Sequence, residues 1–214
     1  MKHHYASIFY FSSRKVDLPQ EKKYDGSGFT RGSSTIPRKQ NLEKEGEIVH
    51  LVEKNRINIV ITNGILMALY LALTILVSPV ASGPIQFRIS ESLNHLVVFN
   101  RKYLWGVLGG VIIYNAIFGM GILDVVFGGG QTLLALGMTA LLQNKVKNIK
   151  IRLALNVLFF SVSMALIAVM LYLTAALPFW ITYAWLAASE AIIMTISAPL
   201  MYYLDQRLHF EKTV

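Results

Sequence analysis

Beyond Ile57 the chain is a series of uncharged stretches separated by short charged connections. No Asp, Glu, Lys or Arg occurs from Ile57 to Phe87, from Tyr103 to Leu123, from Val125 to Asn144 or from Leu153 to Ser189. Each run reaches the roughly 20 apolar residues that a helix needs to cross about 30 Å of hydrocarbon. The last run is too long for one crossing, and Leu177-Pro178 divides it, because proline lacks a donor and turns the residue before it away from helix. The pattern predicts an all-α membrane protein with six transmembrane helices: about Ile57 to Ser78, Ile89 to Phe99, Tyr103 to Phe118, Asp124 to Asn144, Leu153 to Leu173 and Phe179 to Leu204. The second is too short. Eleven residues rise only about 16 Å, half the hydrocarbon thickness, so the Gly- and Pro-rich connection before it must dip into the protein. Non-helical backbone at that depth is tolerated where protein buries it or where it lines a cavity. Pro84 to Glu91, including Gln86 and Arg88, is therefore a candidate binding loop.

Charge gives the chain an orientation. Of nine Lys and Arg beyond Ile57, all but Arg88 fall in alternate connections or the tail, at 101, 102, 145, 147, 150, 152, 207 and 212. Cytoplasmic loops collect Lys and Arg, so both termini are expected to be cytoplasmic. The composition agrees with a membrane protein: 54% hydrophobic and 15% charged, with a mean hydropathy of +0.50. The net charge of +8 is spread over loops and tail, which speaks against a nucleic-acid-binding face. With no cysteine, disulfides and thiolate metal sites are excluded. Residues 1–56 carry eleven Lys and Arg against seven Asp and Glu, broken by Gly, Ser and Pro. They read as a disordered cytoplasmic tail, or as residues upstream of a true start near Val49, Leu51 or Val52. Residues 57–206 form the six-helix domain and 207–214 a cytoplasmic C-terminal tail.

Three features carry candidate chemistry. Gly64, Ala68 and Ala72, at intervals of four, put small residues on one helix face, suited to close helix approach or to ordinary internal packing. Gly106, Gly109 and Gly110 mark the third span, and the run Gly128-Gly129-Gly130 in the fourth points to close approach of a ligand or helix. No G-x-x-x-x-G-K-[ST] follows them, so nucleotide binding by a phosphate loop is excluded. The third feature is acidic. Glu91, Asp124 and Glu190 each cost about 2.5 to 3.5 kcal/mol at a helix centre, so each must face the interior or water.

The expected topology brings these acids together with Asn115, Gln131, Trp180 and Tyr183 in the outer half of the bundle. An aromatic wall from Trp180 and Tyr183 beside Glu190 suits a flat polar heterocycle, stacked on the rings and paired through its donor edge to the acid. Plainer readings stand beside this one. Trp180 and Tyr183 suit an interfacial belt, Arg88 and Glu91 an ion pair, and Asn115 and Gln131 hydrogen bonds between helices. His95, four residues after Glu91, reads as a satisfied packing histidine, because no third metal ligand is in register. No nucleophile with its base and no metal triad is spaced for catalysis, so an enzyme is not expected.

Several strings are similar to a known family: Ala68-Leu69-Tyr70-Leu71-Ala72, Gly83 through Glu91 (G-P-I-Q-F-R-x-S-E), Leu123 through Gly128, Pro178-Phe179-Trp180 and Ser189-Glu190. From Ile57 to Leu204 the chain resembles the queuosine-precursor transporters, the substrate-capture subunits of energy-coupling-factor transporters. The resemblance implies a six-helix bundle that takes up a deazaguanine from outside. It also implies partners: a membrane coupling subunit and two ATPases, which use ATP, while this chain holds no cofactor. It assigns Ala68 and Ala72, extended by Gly64, to the coupling-subunit contact, and Pro84 to Glu91 to a gating loop. For an aminomethyl-deazaguanine, one carboxylate would accept from the ring amide and amino group and another would hold the cation. Glu190 and Asp124 come first for these roles and Glu91 third, with the division between them open. The rival reading is a proton-coupled carrier of a purine-like or vitamin-like compound.

Overall fold

The computed structural model describes residues 38–77, 88–119 and 121–213. Its elements are helical throughout: α1 (Arg38–Val77), a 3-10 helix (Ile89–His95), α2 (Leu96–Phe99), a 3-10 turn (Arg101–Tyr103), α3 (Leu104–Phe118), α4 (Ile122–Leu142), α5 (Ile149–Ala175), α6 (Phe179–Leu208) and α7 (Phe210–Thr213). Within them, Gly46–Val77, Ile122–Leu142, Ile149–Ala175 and Phe179–Leu208 are the four helices long and apolar enough to cross a membrane among the described residues. They mark a multi-pass membrane protein. The helix α3, at 15 residues, covers about 22 Å and falls short of the hydrocarbon thickness on its own.

Two boundaries differ from the sequence expectation. Residues 38–56, expected in a disordered tail, are helical and continuous with the first span. The segment following Pro37 is rich in Lys, Glu, Gln, Leu and Arg, all strong helix formers, and a proline just before the first turn favours initiation. The other difference is at the C terminus. The tail folds back as α7 after His209 takes a left-handed conformation (φ 52°). There the Tyr103 hydroxyl donates to the Phe210 carbonyl (3.1 Å), and the Phe210 ring packs on Phe99 and Tyr103 with centroids 5.9 and 6.3 Å apart.

The short second stretch is an interior element. From Ser90 to Asn100 every residue except Ser92 is buried, and Val97 and Val98 stand at the centre of the core with Val107, Leu136, Phe160 and Met194. Eleven residues are too short to span the bilayer on their own, and wrapped by longer helices they need no lipid contact. Burial of their polar side chains requires partners. His95 meets the Met194 carbonyl through Nε2 (2.9 Å) and the Asn156 amide through Nδ1 (3.1 Å), so Nε2 carries the proton and Nδ1 accepts. The Asn156 carbonyl in turn accepts from the Thr139 hydroxyl (2.7 Å). His95 is thus a packing histidine that ties α4, α5 and α6 to the interior element, as its spacing suggested.

Helix α1 joins the bundle along one stripe. Asn63, Leu66, Tyr70 and Thr74 are buried, while Gly64, Ala68 and Ala72 face outward. The glycines of α3 accept that stripe. A Cβ at Gly106 would collide with Asn63, at Gly109 with Met67 and at Gly110 with Tyr70. Close approach lets the Asn63 side chain accept from the Gly106 amide (2.6 Å), one of the first-turn donors a helix leaves unpaired.

Candidate functional site

A cavity of about 330 Å³ opens among α1, the 3-10 helix, α3, α4, α5 and α6. Its volume falls in the range of small-molecule sites. Glu91, Asn115, Asp124, Gln131 and Glu190 line it, together with Arg88 at the start of the 3-10 helix. All six are candidates of the sequence reading, and the structure brings them to the wall of one cavity. Gln86 and the rest of Pro84 to Phe87 lie outside the described residues.

Trp180 and Tyr183 are not in the lining. Trp180 is 77% exposed, and Tyr183 stacks on Phe179 with centroids 6.0 Å apart and planes 8° apart. The reason is helical arithmetic. Tyr183 is seven residues from Glu190, close to two full turns, but near the start of α6. Trp180 is ten away, which at about 100° per residue places it some 80° round the helix. The rings that do line the cavity are Tyr70, Tyr114 and Phe118, from α1 and α3. Nothing in the charge pattern singles out Tyr70. Its signal was the burial stripe itself, four residues before Thr74 and four after Leu66.

The two buried acids are held differently. The Glu91 carboxylate accepts at one oxygen from the Tyr70 hydroxyl (2.9 Å) and at the other from the Asn94 amide. Beside it, the Thr74 hydroxyl donates to the Tyr70 carbonyl (2.7 Å) and lies 2.7 Å from the Ser90 hydroxyl. Glu190 is 4% exposed, and its Oε1 is a buried oxygen with no hydrogen-bond partner among the described residues. The Arg88 guanidinium lies 5.6 Å from the centre of the Tyr114 ring and interacts electrostatically with both Glu91 and Glu190.

The remaining polar groups are fixed by α4. Gly128 has no room for a side chain because the Asn115 amide occupies that space; from there Asn115 donates to the Asp124 carbonyl (3.1 Å). Gly129 admits Ile112 in the same way, whereas Gly130 meets nothing within 4 Å. Two of the three consecutive glycines therefore serve helix approach. Gln131 donates to the Ser163 hydroxyl (2.8 Å) and accepts from that of Thr132 (3.1 Å), so its amide is engaged across to α5. Among the described residues no group of three His, Cys, Asp or Glu is arranged to hold a metal ion.

A buried acceptor without a partner costs about 1 to 3 kcal/mol, more when charged. In a cavity lined by rings, amides and a second acid, that oxygen is an attachment point for a donor-bearing ligand. Comparison with known proteins agrees with a transport role. A family model described as QueT transporter matches residues 60–206. The chain is 35% identical over 170 residues to a protein named queuosine precursor transporter QueT from Lactococcus lactis subsp. cremoris (strain MG1363), an alignment covering 75% of this chain and 100% of that protein. No solved structure gives a significant match.

Proposed function

Because the chain belongs to the QueT transporter family, we propose that it captures a queuosine precursor outside the cell and delivers it to an energy-coupling-factor module. The precursor is a deazaguanine such as the aminomethyl or cyano form. The family is one of transporters, not enzymes. The observation that carries the ligand reading is the buried, unpartnered Glu190 Oε1 facing a 330 Å³ cavity that Glu91 also lines. A deazaguanine brings a ring amide and an amino group to such an acceptor, and a flat ring to Tyr70, Tyr114 and Phe118.

In this reading the chain crosses the membrane six times, with α3 and the interior element as short crossings and both termini in the cytoplasm. The chain carries no nucleotide motif, so two partner ATPases supply the work and a membrane coupling subunit transmits it. The outward face of Gly64, Ala68 and Ala72 supports such a partner. All three are exposed, and a Cβ at Gly64 would meet nothing within 4 Å, so this face is open to a closely packed helix.

The direct test is mass spectrometry of small molecules released from the purified protein. A bound deazapurine is expected. Its absence, together with proton-driven uptake by vesicles that contain this chain alone, would replace the reading with the carrier.

A further inference from the structure

Resting on the deazaguanine reading, the unequal state of the two buried acids divides their labour. Both Glu91 oxygens are already engaged, one by Tyr70 and one by Asn94. Glu190 Oε1 is not. Arg88, which interacts electrostatically with Glu190, lines the same cavity and lies against the Tyr114 ring. A guanidinium only donates and a carboxylate only accepts. Lining the same cavity, they offer it donors from one side chain and acceptors from the other. The pyrimidine edge of a guanine-type base presents the complement: a carbonyl oxygen, then the ring N–H, then the exocyclic amine.

We propose that Glu190 and Arg88 together read this edge, Glu190 accepting from the ring N–H and the 2-amino group and Arg88 donating to the carbonyl oxygen. Glu91 is a positioning residue, which fixes the Tyr70 hydroxyl and holds Arg88 near Glu190 by charge. The pair makes the site selective for 2-amino-4-oxo bases. An adenine-type base meets Arg88 with an amine and Glu190 with a ring nitrogen lone pair, and both contacts are repulsive. Gln131 is the other side chain with both an acceptor and donors in the wall, but Ser163 and Thr132 already occupy it. Selectivity of this kind arises because a mismatched ligand leaves the buried groups unpaired.

The test compares two probes on the purified full-length protein in nanodiscs: 7-aminomethyl-7-deazaguanine and the same molecule without its 2-amino group. Wild-type protein is expected to bind the second about 10- to 100-fold more weakly, the loss of a hydrogen bond to a charged group. In Glu190→Gln the affinity for the first falls by a similar factor, and the ratio between the probes shrinks to about threefold or less. Tyr70→Phe is expected to weaken both probes alike and keep the wild-type ratio. Equal binding of the probes by wild-type protein overturns the assignment while leaving the deazaguanine reading in place. The same holds if Glu190→Gln discriminates as wild type does. Failure of wild-type protein to bind either probe overturns both.

Discussion

Two polar clusters lie buried in this bundle, one of them closed and one open. Around His95, each ring nitrogen has a partner, and the Asn156 amide joins it to Thr139. Around Glu190, a fully buried carboxylate oxygen has none among the described residues. Both clusters desolvate polar groups beside the same interior element. The closed one recovers the cost within the fold and so acts as a staple. The open one leaves the cost standing until something from outside supplies a donor. Satisfaction, more than burial or residue type, separates a structural site from a binding site here. Asn94 stands at the junction, with its amide on Glu91 and a buried side-chain oxygen that has no partner among the described residues, but it does not line the cavity.

The contrast can be broken at either end. The largest effect on the isolated protein is expected from Asn156→Leu, which strands the His95 Nδ1 in an apolar interior, while the Thr139 hydroxyl keeps the Ala135 carbonyl. The unsatisfied ring nitrogen predicts a loss at the upper end of about 1 to 3 kcal/mol, read as a lower thermal midpoint in detergent. A midpoint within error of wild type would mean that the closed cluster staples nothing. Next is Gly128→Val at the open cluster's wall. The new side chain must displace Asn115, an overpacking cost of about 2 kcal/mol, and ligand affinity should fall because the wall moves. Stability and affinity both unchanged would show that the glycine's lack of a side chain is incidental.

Glu190→Leu turns the comparison round. Replacing the buried acid by an apolar residue of similar volume removes its desolvation cost, and Arg88 keeps the charge of Glu91 beside it, so the thermal midpoint should hold or rise. Ligand binding should meanwhile drop at least 100-fold, about 2.7 kcal/mol. A protein that unfolds on this change would place Glu190 among the staples after all.

Much of this arrangement was legible from charge and spacing. Acids in apolar runs are too costly to face lipid, so Glu91, Asp124 and Glu190 each had to face the interior or water; in the structure all three line one cavity. The length deficit of Ile89 to Phe99 pointed to a dipping connection before it, which lies outside the described residues; the structure buries the short stretch itself. What one-dimensional pattern lacks is helix rotation. Trp180 lies three residues from Tyr183 and Tyr183 seven from Glu190, both helical intervals, yet the ten residues between Trp180 and Glu190 turn Trp180 some 80° away. Tyr70 passed as an ordinary aromatic in a span, since its hydrogen bond to Glu91 depends on how closely α1 approaches α3, and that follows from three glycines in a different helix. The helical stretch from Arg38 was hidden by the opposite error: high charge was read as disorder, where strong helix formers running into an apolar span extend the helix.

The smallest expected effect on the isolated chain falls on the other face of α1, and there its smallness is the point. Ala68 and Ala72 are exposed, so Ala68→Leu adds a side chain to open surface and should change the stability of the purified chain by no more than about 0.5 kcal/mol. Deazaguanine affinity should also be unchanged, because Ala68 is not in the cavity lining. Yet if this face seats a helix of the coupling subunit, the added bulk keeps the two backbones apart, and co-purification with that subunit and uptake in cells should both be lost. The two faces of one helix would then carry separate duties: Tyr70 and Thr74 shape the ligand cavity, and Ala68 and Ala72 transmit its occupancy. Retained uptake would leave the outward stripe as surface in contact with lipid, and the coupling subunit would have to engage the bundle elsewhere.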